Sequence, residues 1–147
     1  MSLLCRSLWL LFFLPLLAGA ELGGSAASIE ADRVQMKAVV RAQPAASYTV
    51  HEIRDAGGLV VREYLSASGR VFAVGWNGPR IPDLRQLLGG YFPTLQSAAQ
   101  ARPGRHGPLH VQRPDLVVTS SGHQRFFAGF AYAPALVPAG VSPESLH

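Results

Sequence analysis

Three strand-forming segments follow one another in this chain with only tight turns between them. Tyr48–Arg54 alternates, with Tyr48, Val50 and Glu52 on one side and Thr49, His51 and Ile53 on the other. Asp55-Ala56-Gly57-Gly58 is turn chemistry, and Leu59–Leu65 is rich in β-branched and aromatic residues. Ser66–Gly69 is a second turn and Arg70–Trp76 a third strand. In that strand Val71, Ala73 and Gly75 are expected on one face, and Phe72, Val74 and Trp76 on the other. Parallel pairing needs a crossover of roughly a dozen residues or more. These turns are far shorter, so the block has to fold as an antiparallel meander.

The flanking segments supply helices and further strands. Ser28–Arg41 is expected as a helix, capped by Ser28, with Glu30 and Asp32 in its first turn and Lys37 and Arg41 in its last. Gln43-Pro44 ends it. Asp83 is placed to cap a short helix, Leu84–Leu88, stopped by Gly89-Gly90, and Tyr91–Ala101 adds a further turn or two after Pro93. Arg102–Pro108 reads as an irregular loop. Two more strands, Asp115–Thr119 and Gln124–Tyr132, are expected to join at Ser120–His123, the second with Phe126, Phe130 and Tyr132 on one face and Phe127 on the other. The resulting class is α+β: an antiparallel meander sheet of about five strands, an N-terminal helix and a short helical crossover, with the helices on one face. A small half-open β-barrel is the alternative. A single domain is expected over residues 28–133, between a Gly-rich flexible lead-in at 21–27 and a Pro-rich tail at 134–147.

Residues 1–20 do not belong to that fold. Arg6 provides a positive start, Ser7–Leu17 an apolar run and Ala18-Gly19-Ala20 a small-residue cleavage site, the pattern of a secretory signal peptide. The apolar run is interrupted by Pro15 and is shorter than the roughly 20 residues a membrane span needs. Glu21, not cysteine, follows the cleavage motif, so no lipid anchor is expected and the cleaved chain keeps no stable membrane anchor. The expected address is periplasmic or extracellular. Cys5, the one cysteine, lies in the leader, which makes the exported domain disulfide-free and removes thiolate chemistry. The formal net charge is +4, but the arginines are dispersed from Arg33 to Arg125 without a run. That pattern fits a solvated surface, and no nucleic-acid partner is expected.

Several phrases together carry a family resemblance. They are Val61-Arg62-Glu63-Tyr64, Val71-Phe72-Ala73-Val74 with Trp76 and Gly78-Pro79, Pro82-Asp83-Leu84, and Leu88-Gly89 with Tyr91-Phe92. Asp115-Leu116-Val117-Val118 and Ser121-Gly122-His123 with Arg125 complete the set. Over most of residues 22–141 the chain resembles a bacterial family of small exported proteins described only as a domain of unknown function. The resemblance implies export and a single domain, and brings no activity, fold or functional residue with it.

Candidate sites are few, and each has a structural competitor. Ser120–Arg125 gathers hydroxyls, an imidazole and a guanidinium suited to oxyanion contacts through Arg125, although Ser-Gly is also ordinary turn chemistry. A hydrolase triad can be drawn from Ser121, His123 and Asp83 or Asp115, without a Gly-x-Ser-x-Gly elbow to support it. A metal could be sought at His106, His110 and His123, but Pro108 breaks the helix that would align the first two and no carboxylate lies close by in sequence, so neither a metal site nor a cofactor is expected. Trp76-Asn77-Gly78-Pro79 with Tyr91-Phe92 offers an aromatic surface for a sugar or a peptide, or core packing. Glu52 and Glu63 approach across the first hairpin, where pairing with Arg54 or Arg62 competes with paired-carboxylate chemistry. Gly57-Gly58 and Gly89-Gly90 lack the lysine of a phosphate-binding loop. The expected function is an exported, non-enzymatic accessory or binding protein, with an envelope or extracellular protein as its partner. The alternatives are a small hydrolase or transferase using the cluster around His123 and Arg125, and a subunit that adds its sheet edge to a partner.

Overall fold

The computed structural model describes residues 21–102 and 107–146, so the leader with Cys5, and His106, lie outside the described residues. Seven strands form one antiparallel sheet: β1 (Val39–Pro44), β2 (Tyr48–Arg54), β3 (Val60–Ser66), β4 (Val71–Gly78), β5 (Leu109–Gln112), β6 (Val117–His123) and β7 (Phe126–Tyr132). The first four make a meander. The chain then passes through α2 (Leu84–Leu88) and α3 (Phe92–Gln100) to the far edge, and returns as β5, β6 and β7. β7 lies against β4, which gives the order β1-β2-β3-β4-β7-β6-β5. The edge strands do not pair with each other, so the sheet is open and not a closed barrel. The protein is mostly β, with seven strands where the sequence indicated about five.

The two extra strands arise where local pattern misleads. The N-terminal helix, α1 (Ala26–Gln35), starts before Ser28 and stops well short of Arg41. Ser28 is not its cap; it sits in the first turn and its hydroxyl donates to the Ser25 carbonyl at 2.5 Å. Lys37, at φ 49°, occupies the left-handed position past the helix end. The Lys37 amide then reaches the Val34 carbonyl and the Ala38 amide the Arg33 carbonyl, a Schellman closure. This frees Val39–Pro44 to pair along its whole length with β2, from Val39 opposite Arg54 to Pro44 opposite Thr49. Pro44 is tolerated because β1 is an edge strand. β5, the second addition, pairs Leu109–Gln112 with Ser120–Val117. The β6–β7 turn is also displaced: Ser120–His123 continue β6, and the reversal falls at Gln124-Arg125, with Arg125 at φ 62°.

A β-bulge assigns side chains to faces. Tyr64 is opposite Ala73, but Leu65 is opposite Val71, so Phe72 is the extra residue. The simple alternation expected for Arg70–Trp76 therefore breaks. Val71 joins Val74 and Trp76 on the helix-covered face, while Phe72 joins Ala73 on the other. Under the helices, Ile53, Val61, Val74, Val118 and Ala131 pack with Leu22, Ile29, Leu87, Leu88 and Leu95. Asp83 caps α2 as expected, accepting from the Arg85 and Gln86 amides at 2.9 and 3.3 Å. The lead-in is tied to the sheet: the Leu22 amide bonds the Leu87 carbonyl, and residues 23 and 24 bond both backbone groups of Val71. Among the described residues no helix is long and apolar enough to cross a membrane.

The helix-covered face also contains ionisable groups. Glu63 is fully buried on β3, directly opposite His51 on β2. Burial holds the His51 imidazole below its ordinary value of 6.5. As pH falls, the unfolded chain therefore takes up a proton at His51 before the folded one does. Stability is expected to decline as pH drops through about 6.5 and to level off below the folded-state value. In urea unfolding at pH 7.5 and 5.5, His51→Gln should show a smaller stability difference than the parent. An equal difference would remove His51 from the account.

Candidate functional site

Ladder register lays out the sheet face opposite the helices. One row crosses all seven strands: Arg41, Glu52, Arg62, Gly75, Phe130, Thr119 and His110. Beside it run Gln43, Val50, Tyr64, Ala73 and Tyr132 on one side, and Asn77, Ala128 and Ser121 on the other. Strands stand about 4.8 Å apart, so a flat sheet would hold its edges about 29 Å from each other. Instead, residues from all seven strands, including Gln43 of β1 and His110 of β5, line a single cleft of about 810 Å³. The sheet has to curl around that space.

Glycines placed opposite aromatic rings permit this. Gly129 stands opposite Trp76, Gly75 opposite Phe130 and Gly122 opposite Phe127. A Cβ on Gly75 would lie 3.3 Å from the Phe130 ring, and one on Gly122 2.5 Å from the Phe127 ring. Each ring thus covers the glycine across from it, a pairing that closes the gap a glycine leaves in a curved sheet. The Trp76 indole is only 2% exposed, and its Nε1–H has no acceptor among the described residues.

The cleft has an apolar region and a charged one. Tyr64 meets Phe130 edge-on at 5.8 Å between centroids, and Tyr48 meets Phe72 edge-on at 5.9 Å. The tail packs on this cluster through Val137, Val141 and Leu146, and the Tyr64 hydroxyl donates to the Leu146 carbonyl at 2.5 Å. Burial pushes the Tyr64 phenol above its ordinary range. In the charged region, Arg62 Nε donates to Glu52 at 3.1 Å and Arg62 Nη1 to Asn77 Oδ1 at 3.2 Å, while Arg54 donates to Glu52 at 3.0 Å. The hydrogen bond from Arg54 holds the Glu52 carboxyl below the usual carboxylate range. Partial burial opposes that shift, and the charges of Arg62 and Arg54 add to it.

The sequence-derived candidates are divided by the sheet. Ser121 lines the cleft, and His123 follows on the same face at the end of β6, exposed and paired with Phe126 at the hairpin tip. Arg125 is exposed in the turn beyond. Asp83 lies on the helix side, where it borders a smaller pocket with Leu59, Val61 and Leu87. Asp115 accepts from Thr94 Oγ1 at 2.8 Å. The sheet therefore separates Ser121 from Asp83. Trp76 and Tyr91 are both part of the packing under the helices, and Trp76 also borders the cleft. His110 lines the cleft, and among the described residues no group of three metal-ligating side chains clusters. Glu52 pairs with Arg54 and Arg62, whereas Glu63 points to the opposite face.

Sequence reasoning did not single out Tyr48 or Tyr64 as lining residues. Their signal was the face shared by Tyr48, Val50 and Glu52, where aromatic and charged residues mix. On a strand that pattern is also what a solvated face produces, and only the curl of the sheet turns it into a lining.

A family model described as "Protein of unknown function (DUF2844)" matches residues 18–146. No curated protein and no solved structure is matched.

Proposed function

We propose that this chain, which belongs to the DUF2844 family, is an exported, non-enzymatic binding protein that holds a small, largely apolar ligand in the cleft of its curled sheet. Export rests on the leader pattern at residues 1–20. Binding rests chiefly on one observation, an open-face cleft of about 810 Å³ with Tyr48, Tyr64 and Phe130 in its lining. That volume falls within the roughly 300–1,000 Å³ typical of small-molecule sites. An apolar lining with a few converging polar groups is also what such sites use to hold and orient a ligand. The non-enzymatic reading is supported by the separation of Ser121 from Asp83 and by the place of Asp115, which precedes the start of β6, accepts from Thr94, and lies at the other end of that strand from Ser121.

The uncharged dye N-phenyl-1-naphthylamine tests this reading. It should bind one to one with a rise in fluorescence. Ala128 lies between Asn77 and Ser121 in the cleft. Ala128→Trp should fill that space and weaken the dye by about tenfold, the equivalent of losing two buried methylene groups. Absence of saturable dye binding, or binding unaffected by Ala128→Trp in a folded variant, would overturn it.

A further inference from the structure

The open face has an uneven charge distribution. Arg41, Glu52 and Arg62 are consecutive members of one cross-strand row, and Arg54 donates to Glu52 from the same strand. Arg54 and Arg62 pair with Glu52, Arg41 stands opposite it in the ladder, and Glu144 of the tail stands against Tyr132 on the same face, so three guanidinium groups share this face with two carboxylates. Arg62 already uses Nε on Glu52 and Nη1 on Asn77, which orients its fork at the cleft lining. The charge left over is positive, and it stands beside the aromatic region formed by Tyr48, Tyr64 and Phe130. A ligand complementary to both regions has an apolar body and an anionic head.

From this we infer that the cleft selects a single-chain anionic amphiphile, such as a fatty carboxylate, with its head at Arg62 and its chain in the part of the cleft bounded by Tyr48, Phe130 and Leu146 of the tail. The inference rests on the ligand-binding reading above and names the ligand class for that same site. Guanidinium groups favour carboxylates through paired, charge-assisted hydrogen bonds, and the apolar chain gains from burial in proportion to its length. Asn77 acts as a positioning residue, because its amide oxygen holds the Arg62 fork.

Displacement of bound N-phenyl-1-naphthylamine gives the test, with laurate, dodecanol and dodecyltrimethylammonium as competitors. Laurate should compete about tenfold more strongly than dodecanol, the equivalent of one charge-assisted hydrogen bond, and the cationic amphiphile should be the weakest. Arg62→Gln should abolish the preference for laurate while dye binding persists. Asn77→Asp keeps the side-chain shape and places a carboxylate against Arg62, so it should abolish the same preference even if Arg62→Gln fails to fold. Equal competition by laurate and dodecanol, or a preference untouched by Asn77→Asp, would overturn the inference. It would leave the binding reading intact as long as the dye binds. Sedimentation with phosphatidylglycerol vesicles to the same extent in the parent and Asn77→Asp would also overturn it, because the anion would then be met at a membrane surface and not in the cleft.

Discussion

Gly129→Ala is expected to lower the stability of the fold by about 3 kcal/mol, at the upper end of what overpacking a core costs. Gly129 is opposite Trp76 in the β4–β7 ladder, and a Cβ there would fall inside the van der Waals envelope of the indole ring. It would also stand 2.9 Å from the Thr119 carbonyl oxygen, a backbone atom of β6 that has little freedom to retreat. The indole cannot swing outward, because it is almost fully buried among the residues under the helices. Gly90 provides the control, since a Cβ there meets nothing within 4 Å and its φ is not positive. Gly90→Ala should stay within about 0.5 kcal/mol of the parent. Denaturant unfolding of the two variants side by side is decisive: equal midpoints would mean that the Trp76 ring does not cover Gly129. A cost confined to Gly129 would tie the stability of the domain to the glycine–aromatic pairs that let the sheet curl.

Phe72→Ala should cost about 4 kcal/mol, within the range for deleting a buried phenylalanine. Phe72 is fully buried, contacts Tyr48 and Tyr64, and belongs to the cluster on which Leu136, Val137, Val141 and Leu146 pack. The loss should therefore be localised. Amide hydrogen exchange should accelerate through residues 134–146, while α2 and α3, on the other face, keep their protection in conditions where the variant stays folded. Loosening of α2 and α3 with an unchanged tail would place Phe72 on the helix-covered face and refute the bulge. An alanine variant with parental stability would refute the burial itself.

The aromatic residues of β7 show how far alternation carries. Phe126, Phe130 and Tyr132 do share one face and Phe127 takes the other, because β7 pairs without interruption on both sides. Arg70–Trp76 has an equally regular pattern, yet one extra residue at Phe72 reversed half of it. A bulge leaves no mark in composition; it reflects how β3 and β4 fit once both are packed. Helix ends follow the same logic. Asp83 was readable as a cap because its carboxylate acts on amides two and three residues away. The end of α1 was not, because Lys37 takes a position usually held by glycine, and because Val39–Pro44 gains a ladder with β2 that no local signal announces.

By itself the sequence determined the meander of β2, β3 and β4, the cap and stop of α2, and the division of β7 into two faces. Each follows from short-range chemistry: turn residues, two-residue periodicity and side-chain to amide bonds. Tertiary structure alone decided the edge strands, the bulge, the burial of Glu63 and the cleft. Those depend on pairings between residues far apart in the chain. Arg41, Glu52, Arg62, Phe130 and His110 span almost ninety positions of sequence and become one row only when β7 closes against β4. Glycines opposite rings then allow that row to bend, and the bend makes a cleft lining out of residues that in sequence read as an ordinary solvated face.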